Sequence, residues 1–314
     1  MDQKISVIIP TRNRKADIRR CLDSIALQSI VPDEVIIVDS SDTLDLCNEL
    51  SGYSKLNIKC IHTKIPGTSL QRNIGIKESH GEILVFSDDD MIWDKNFIHE
   101  IIRIFSDHSH ENIGGVTGKL IEYGYGIKIK KSHKFSFQFI QDYYFRIFLL
   151  LREGDGYFQY SGNPTFIFSN PTETVTKCEF LFGGCMAFRR EVIEQFMFDE
   201  NLHGYGYGDD DDIAYRVSRK YQNYYVPSAK MIHGGISAST AGSKKDTMKK
   251  RIANTYYLFK KNFPQDLTHR FAFWWSVFGL FIWEAIFSLI RRDSSSIRGM
   301  IDGLNSIYKG NELD

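Results

Sequence analysis

Along the first third of the chain, short runs of β-branched and other apolar residues alternate with stretches of helical periodicity. Ile5–Ile9, Glu34–Val38, Ile58–Ile61 and Ile83–Phe86 read as strands. Between them, Ala16–Gln28 carries Ile18, Leu22 and Ile25 at helical spacing, and Ser69–Lys77 reads as a helix opened by a serine cap. Strands that are apolar throughout, separated by helices, predict a parallel sheet covered on both faces. In such sheets ligands bind beyond the carboxyl ends of the strands. The opening Met1-Asp2-Gln3-Lys4 passes directly into the first of these runs, the pattern of a strand and not of a signal peptide's apolar core.

Polar residues gather at those carboxyl ends. Pro10-Thr11-Arg12-Asn13-Arg14 follows the first strand and Asp39-Ser40-Ser41-Asp42 the second. Pro66-Gly67-Thr68-Ser69 leads from the third toward Gln71-Arg72-Asn73, and Ser87-Asp88-Asp89-Asp90 follows the fourth. Any one of these alone reads equally well as an ordinary turn or cap. Four at one edge predict a binding site. Three consecutive aspartates at the end of a buried strand repel one another and need a compensating cation. Their hard oxygens suit Mn2+ or Mg2+, either of which also bridges diphosphate oxygens.

Composition narrows the partners. The 314 residues are 42% hydrophobic and 25% charged, enough for a large core. Lys+Arg and Asp+Glu both number 39, so no global basic field points to nucleic acid. The cysteines Cys21, Cys47, Cys60, Cys178 and Cys185 are odd in number and scattered, which predicts reduced thiols in a cytosolic compartment.

In order and spacing, the polar segments resemble those of the family 2 glycosyltransferases of the GT-A fold, over roughly residues 4–240. Ile9-Pro10-Thr11-Arg12-Asn13 is similar to the family's opening strand end, and Val38-Asp39 to the strand end whose aspartate meets the nucleobase. Arg72-Asn73-Ile74-Gly75 is similar to its Arg-Asn-X-Gly segment, and Asp88-Asp89-Asp90 to its Asp-X-Asp metal motif. The resemblance implies that Pro10, Thr11, Arg12, Asn13, Asp39, Arg72, Asn73, Asp88 and Asp89 bind the nucleotide, with Asp90 and Asp88 as metal ligands; which of the three aspartates touches the cation stays open. Phe182-Gly183-Gly184-Cys185 is similar to the segment whose glycines let backbone approach the donor sugar, and it also reads as a strand with a bulge. Asp209-Asp210-Asp211-Asp212-Ile213 is similar to the family's Gly-Glu-Asp-X-Asp-Leu, with Asp209 in place of the glutamate, which implies Asp210 as the catalytic base. Asp212 and Arg216, four apart, predict a structural pair on a helix. His233 stands where many relatives place a metal-binding histidine. The glycines at 204, 206 and 208 lack the spacing of a dinucleotide fingerprint and suit a flexible loop over the acceptor, with Tyr205 and Tyr207 able to stack on sugar faces.

The fold so implied is α/β, a GT-A (Rossmann-like) mostly parallel central sheet with helices on both faces, plus a C-terminal helical extension. Residues 1–240 form the catalytic domain, 1–110 its nucleotide-binding half and 111–240 its acceptor-side half, and 241–314 form the helical region. The implied activity is metal-dependent, inverting and rhamnosyltransferase-like: a hexosyl group moves from a UDP- or dTDP-sugar to a hydroxyl of a glycan or polyprenyl-linked acceptor, as in cell-surface polysaccharide or glycoconjugate synthesis. Two other classes stay open. A sugar nucleotidyltransferase is expected to carry a Gly-rich, Lys-bearing phosphate loop near the N-terminus, which is absent; a non-catalytic carbohydrate-binding relative is expected to lack Asp210 or Asp90, and both are present.

Two later stretches are apolar. Residues 133–152 are aromatic-rich and suit core packing as well as acceptor or lipid contact. Phe271–Ile290 is long enough to cross a bilayer, yet Ser276, Glu284 and Ser288 share a helical stripe and basic residues flank both ends. That pattern predicts a helix lying in a membrane interface, Trp274, Trp275 and Trp283 near the headgroups, ahead of a helix packed on protein or one that spans. Lys244-Lys245 and Lys249-Lys250-Arg251 add attraction to anionic lipid. The expected location is cytoplasmic, peripheral on the inner face of the membrane.

Overall fold

Seven consecutive buried residues make the first strand, β1 (Ile5–Thr11), in the computed structural model. It describes residues 3–107, 112–123, 137–150, 153–167, 172–204, 206–235 and 242–310. β1 pairs in parallel with β2 (Glu34–Asp39) and with the later β4 (Ile83–Ser87), and β2 pairs in parallel with β3 (Ile58–His62). Burial on both faces is why β1, β2 and β4 are apolar almost without alternation, while the edge strand β3 is half-exposed and carries Lys59 on its open face. The crossovers are helices: α1 (Lys15–Ala26), with Ile18, Cys21, Leu22 and Ile25 on one buried stripe, α2 (Asp45–Leu50) and α3 (Thr68–Glu78). α3 starts one residue before the serine expected to cap it. Gly67 occupies the cap position, and Ser69 is buried.

The second half enters the sheet differently. β5 (Met91–Trp93), α4 (Phe97–Ser106), β6 (Ile113–Tyr123), α5 (Phe137–Ile147), β7 (Thr176–Cys178), β8 (Cys185–Arg189), α6 (Arg190–Phe196), α7 (Asp209–Ser218) and β9 (Gln222–His233) follow. β8 runs antiparallel to both β4 and β6, β6 is parallel to β9, and β9 is antiparallel to β5 and β7. The strand order is β3-β2-β1-β4-β8-β6-β9-β5, with β7 on β9. The parallel arrangement thus holds for β1 to β4, while the sheet as a whole is mixed. Ile8, Ile36, Val38, Leu84 and Phe86 of the sheet pack against Leu181, Phe188, Val192, Ile213 and Val217.

Cys47 in α2 and Cys60 in β3 are disulfide-bonded, their Cα atoms 5.4 Å apart. This corrects the expectation of five free thiols: packing α2 on β3 brings together two cysteines whose spacing carries no sign of pairing. Cys21, Cys178 and Cys185 are free and buried.

The chain divides into two compact units, Met1–Lys130 with Asn170–Ala238, and Lys131–Ser169 with Ser239–Asp314. The sequence alone assigns 131–169 to the acceptor-side half; the structure groups them with the C-terminal helices α8 (Lys244–Asn262), α9 (Leu267–Arg291) and α10 (Ser295–Tyr308). Aromatic packing is the reason. Phe148 stacks on Trp275 with ring centroids 4.7 Å apart, and the Tyr144 hydroxyl donates to the Gly279 carbonyl at 2.7 Å. Leu150, Met248, Ile252, Leu280 and Met300 form this unit's own core. Ser243 caps α8 and Asp266 caps α9.

Candidate active site

The register of the parallel strands builds the first part of the site. Thr11 is paired with Asp39, and Asp39 with His62, at the carboxyl ends of β1, β2 and β3. Gln71 Nε2 on α3 donates to the carbonyls of Thr11 at 2.9 Å and Val38 at 2.6 Å, bracing that edge. Asp39 is fully buried. Its Oδ1 accepts from the Ser41 amide and hydroxyl, whereas its Oδ2 has no hydrogen-bond partner, with His62 Nδ1 3.9 Å away. Arg12 and Asn13 reach across to the loop after β2. Arg12 pairs with Asp42 at 3.2 Å, and Asn13, in the left-handed region at φ 55°, exchanges hydrogen bonds with Asp42 and Ser41. Both latch the loop after β1 to the loop after β2.

The three aspartates after β4 have three different environments. Asp89 is buried and spent: it accepts from Thr11 Oγ1 at 2.7 Å and meets Arg14 Nη1 at 3.0 Å. Desolvation pushes its carboxyl up to about 8 against the pull of Arg14 and Thr11. Asp88 keeps 38% of its side-chain surface and accepts from Arg72 Nη2 at 3.0 Å. The cleft walls desolvate it and Asp90 and Asp210 add repulsion, raising it to about 6 although Arg72 opposes. Asp90 offers one oxygen to Arg14 Nη2 at 2.6 Å, with His233 Nε2 at 3.4 Å from that same oxygen. Its other oxygen, Oδ1, is buried with no partner. His233 arrives there through the antiparallel pairing of β5 and β9, which sets it opposite Met91, and through the Gly234 amide donating to the Asp90 carbonyl.

Among the described residues no three His, Cys, Asp or Glu side chains form a ready-made metal cage. The fit to a divalent cation is narrower. Asp90 Oδ1 lacks a partner, Asp88 has an open edge, and the His233 imidazole lies beside Asp90. This donor set suits a cation that takes its remaining ligands from a bound phosphate.

Arg72 joins the two halves of the site. It is buried; Nη1 donates to Asp209 Oδ2 at 2.8 Å, and Nη2 to Asp88 Oδ1 and to the Gly183 carbonyl at 2.9 Å. Burial works against its charge, but Asp209, Asp88 and Asp210 hold its pKa above the usual value. Desolvation also raises Asp209, against the pull of Arg72. α7 opens at Asp209 after Gly208, whose φ of 87° favours glycine. The next residue, Asp210, accepts from the Gly183 amide at 3.1 Å through Oδ2, while Oδ1 accepts from the Asp211 amide. A Cβ on Gly183 would lie 2.7 Å from Asp210 Oδ2, so only glycine permits this approach.

Asn73 is not part of this convergence. It donates to the Phe198 carbonyl and to Glu200, and accepts from the Phe198 amide, bracing that loop. Asp212 and Arg216 pair at 2.6 Å as their spacing predicts, and Arg216 also holds the carbonyls of Phe196 and Met197. Tyr207 is half-buried, and Tyr205 lies outside the described residues. Arg14 and His62 belong to the site without having been singled out by sequence. Of ten buried side-chain polar atoms without a hydrogen-bond partner among the described residues, seven belong to Arg12, Asp39, Ser40, His62, Ser69, Arg72 and Asp90, so unspent polar capacity concentrates at this edge.

The model of the family described as Glycosyl transferase family 2 matches residues 6–197, more than half of the chain. The Streptococcus pneumoniae glycosyltransferase GlyA is 26% identical over 204 residues, covering 63% of this chain and 26% of the relative. The Staphylococcus aureus poly(ribitol-phosphate) β-N-acetylglucosaminyltransferase TarS is 30% identical over 125 residues, covering 37% of this chain and 22% of the relative. The matched part thus spans about a quarter of these curated proteins' lengths. The Pyrobaculum calidifontis mannosyltransferase PcManGT, solved with GDP-Man and Mn2+, matches with a TM-score of 0.59 and 15% identity, covering 98% of this chain and 87% of its own, a likeness of fold.

Proposed function

The chain belongs to glycosyl transferase family 2, and we propose that it moves one hexosyl group from a UDP- or dTDP-sugar to a hydroxyl of a glycan or polyprenyl-linked acceptor, with inversion and with Mn2+ or Mg2+ at the diphosphate. One observation carries the reading: two buried carboxylate oxygens at the same sheet edge, Asp39 Oδ2 and Asp90 Oδ1, have no partner. A buried acceptor left unmade is costly, so each calls for a ligand group. Uracil and thymine bring one ring N–H to the first, and a cation answers the second.

Asp210 is the base. It takes the acceptor hydroxyl's proton as the acceptor oxygen bonds to the anomeric carbon. The nucleoside diphosphate leaves with the electron pair of the broken C–O bond. One carboxylate is enough, in contrast to the two that flank the bond in glycosidases. Arg72 holds Asp88, the Gly183 carbonyl and Asp209 in one arrangement, so the donor side and the base are positioned together. Asp88, Asp90 and His233 would hold the cation, which when bound supplies charge neutralisation at the diphosphate. Arg14 keeps Asp89 and Asp90 compensated beside it.

Thermal shift with UDP-, dTDP- and GDP-sugars, with and without Mn2+, tests the reading, because a true donor stabilises by mass action. A uridine or thymidine donor should shift the melting temperature more with metal than without. Asp90→Asn should lose that metal-dependent increment. Stabilisation by GDP-sugars alone overturns the base assignment, and a shift indifferent to metal in the native protein overturns the cation.

A further inference from the structure

In the helical unit one stripe of large apolar residues on α9 lies outside. Phe271 is 68% exposed, Phe278 52% and Leu289 81%, with Trp274 and Ile286 exposed on the same stripe. The inward side holds Ala272, Phe273, Ser276, Gly279 and Leu280. Ser276, which shares a helical stripe with Glu284 and Ser288, is buried, and its hydroxyl donates to the Phe273 carbonyl. Glu284 and Ser288 are half-buried. The polar positions therefore sit toward the packed side and the outward stripe is wholly apolar, the reverse of a helix that covers a soluble core. α5 carries a second outward stripe, Phe139, Ile140, Tyr143 and Ile147. The two helices are joined by the Phe148–Trp275 stack and by Trp275 Nε1 donating to the Ile147 carbonyl.

Charge is divided as sharply. The helical unit holds 16 Lys+Arg against 10 Asp+Glu, a net of +6, and the sheet unit 23 against 29, a net of −6. The neutral chain is thus a basic unit joined to an acidic one. A second protein surface would satisfy the stripe alone. A surface that is apolar beneath and anionic above satisfies the stripe and the charge together.

We propose that the helical unit docks on an anionic lipid bilayer, α9 lying in the plane of the interface with its outward stripe, and that of α5, in the headgroup–acyl boundary. The helix is long and apolar enough to cross. It lies flat because its inner side is committed to protein: Leu280 shares a core with Met248 and Ile252 of the lysine-rich α8, and a crossing α9 would carry those lysines into hydrocarbon. The inference is independent of the transfer reaction.

The test is co-sedimentation of the full chain with vesicles of mixed phosphatidylglycerol and phosphatidylcholine, or of phosphatidylcholine alone, together with tryptophan emission. Binding should favour the anionic vesicles, blue-shift the emission, and be only partly released by high salt, since salt screens the charge but not the buried rings. A Phe271→Ser, Phe278→Ser, Leu289→Ser triple variant should lose roughly a hundredfold or more in partition, as burying each large apolar side chain is worth about a tenfold factor. Arg270→Glu with Arg292→Glu, which lowers the unit's net charge from +6 to +2, should weaken the preference for anionic lipid. Both should keep the native thermal shift with nucleotide sugar, which separates failure here from failure of the donor assignment. No binding to either vesicle overturns the proposal, as does unchanged partition of the triple variant. A native chain that is dimeric without lipid, and monomeric as the triple variant, overturns it in favour of a second copy on the stripe.

Discussion

The sheet unit puts charge inside and the helical unit puts apolar surface outside. Asp39, Asp89 and Asp90 at the strand ends, Arg72 on α3 and Asp209 at the start of α7 are all buried, while Phe271, Phe278 and Leu289 are open to solvent and Ser276 is covered. Each departs from the usual sorting of residues, in opposite directions. In the first, buried charges are held by one another through Arg72 and Arg14, and the oxygens left over define what a ligand must bring. In the second, the outward stripe is apolar and the unit carries an excess of positive charge, the two features that the proposed lipid docking would answer. A buried charge and an exposed aromatic are thus the same kind of signal. Both are costs in the isolated chain that a partner removes.

The largest effect should come from breaking the charge network. Arg72→Met removes the cation shared by Asp88 and Asp209 and leaves two carboxylates uncompensated. Loss of one partner of a buried pair costs about 3–5 kcal/mol, so the variant should unfold at markedly lower urea than the native protein. A variant of native stability would mean that the network is solvated and the contrast with the helical unit overstated.

Asp210→Asn should leave stability and donor affinity nearly unchanged, because the amide can still accept from the Gly183 amide through its oxygen. Transfer should fall by about 10²–10⁴-fold, the range for a lost general base. Turnover retained with weakened donor affinity would move Asp210 from chemistry to binding.

How much of this was legible follows from the range of the interactions. β1, β2 and β4 announce themselves because continuous burial writes continuous apolar runs, and the polar ends of those runs mark the edge where Asp39 and Asp88 sit. Arg14 carries no such mark: its partners lie 75 and 76 residues away at Asp89 and Asp90, and one arginine among several after β1 does not reveal which turns inward. Asn73 shares the Arg-Asn-X-Gly segment with Arg72, but successive helical residues point in different directions, and it serves the Phe198 loop. The place of α5 depends on contacts spanning more than 120 residues, Ile147 to Trp275 for example, which periodicity cannot encode. Ser276 misleads because a serine that bonds its own helix's backbone reads as polar in sequence and packs as a small residue.

The two faces of α9 offer the next test, within the helical unit. A Cβ on Gly279 would fall 2.2 Å from Phe148 Cγ, against the ring that stacks on Trp275. Gly279→Ala should therefore overpack the α5 contact and lower stability by about 1–3 kcal/mol, despite alanine's better helix propensity. A stabilised variant would show that α5 is not seated there.

The smallest effect is expected on the opposite face. Leu289 is 81% exposed, so Leu289→Gln removes an apolar group that the isolated chain barely buries. Glutamine and leucine have similar helix propensity, and no packing is lost. Stability in detergent-free buffer should stay within about 0.5 kcal/mol of the native value, as for surface substitutions generally. The same change should lower partition to anionic vesicles, because the bilayer gives the leucine what water does not. A loss of stability in solution comparable to that of Gly279→Ala would mean that Leu289 is covered by protein, and the outward stripe would become part of an interior. Neutral stability with weaker lipid binding is the pairing of results that only a stripe made for lipid produces.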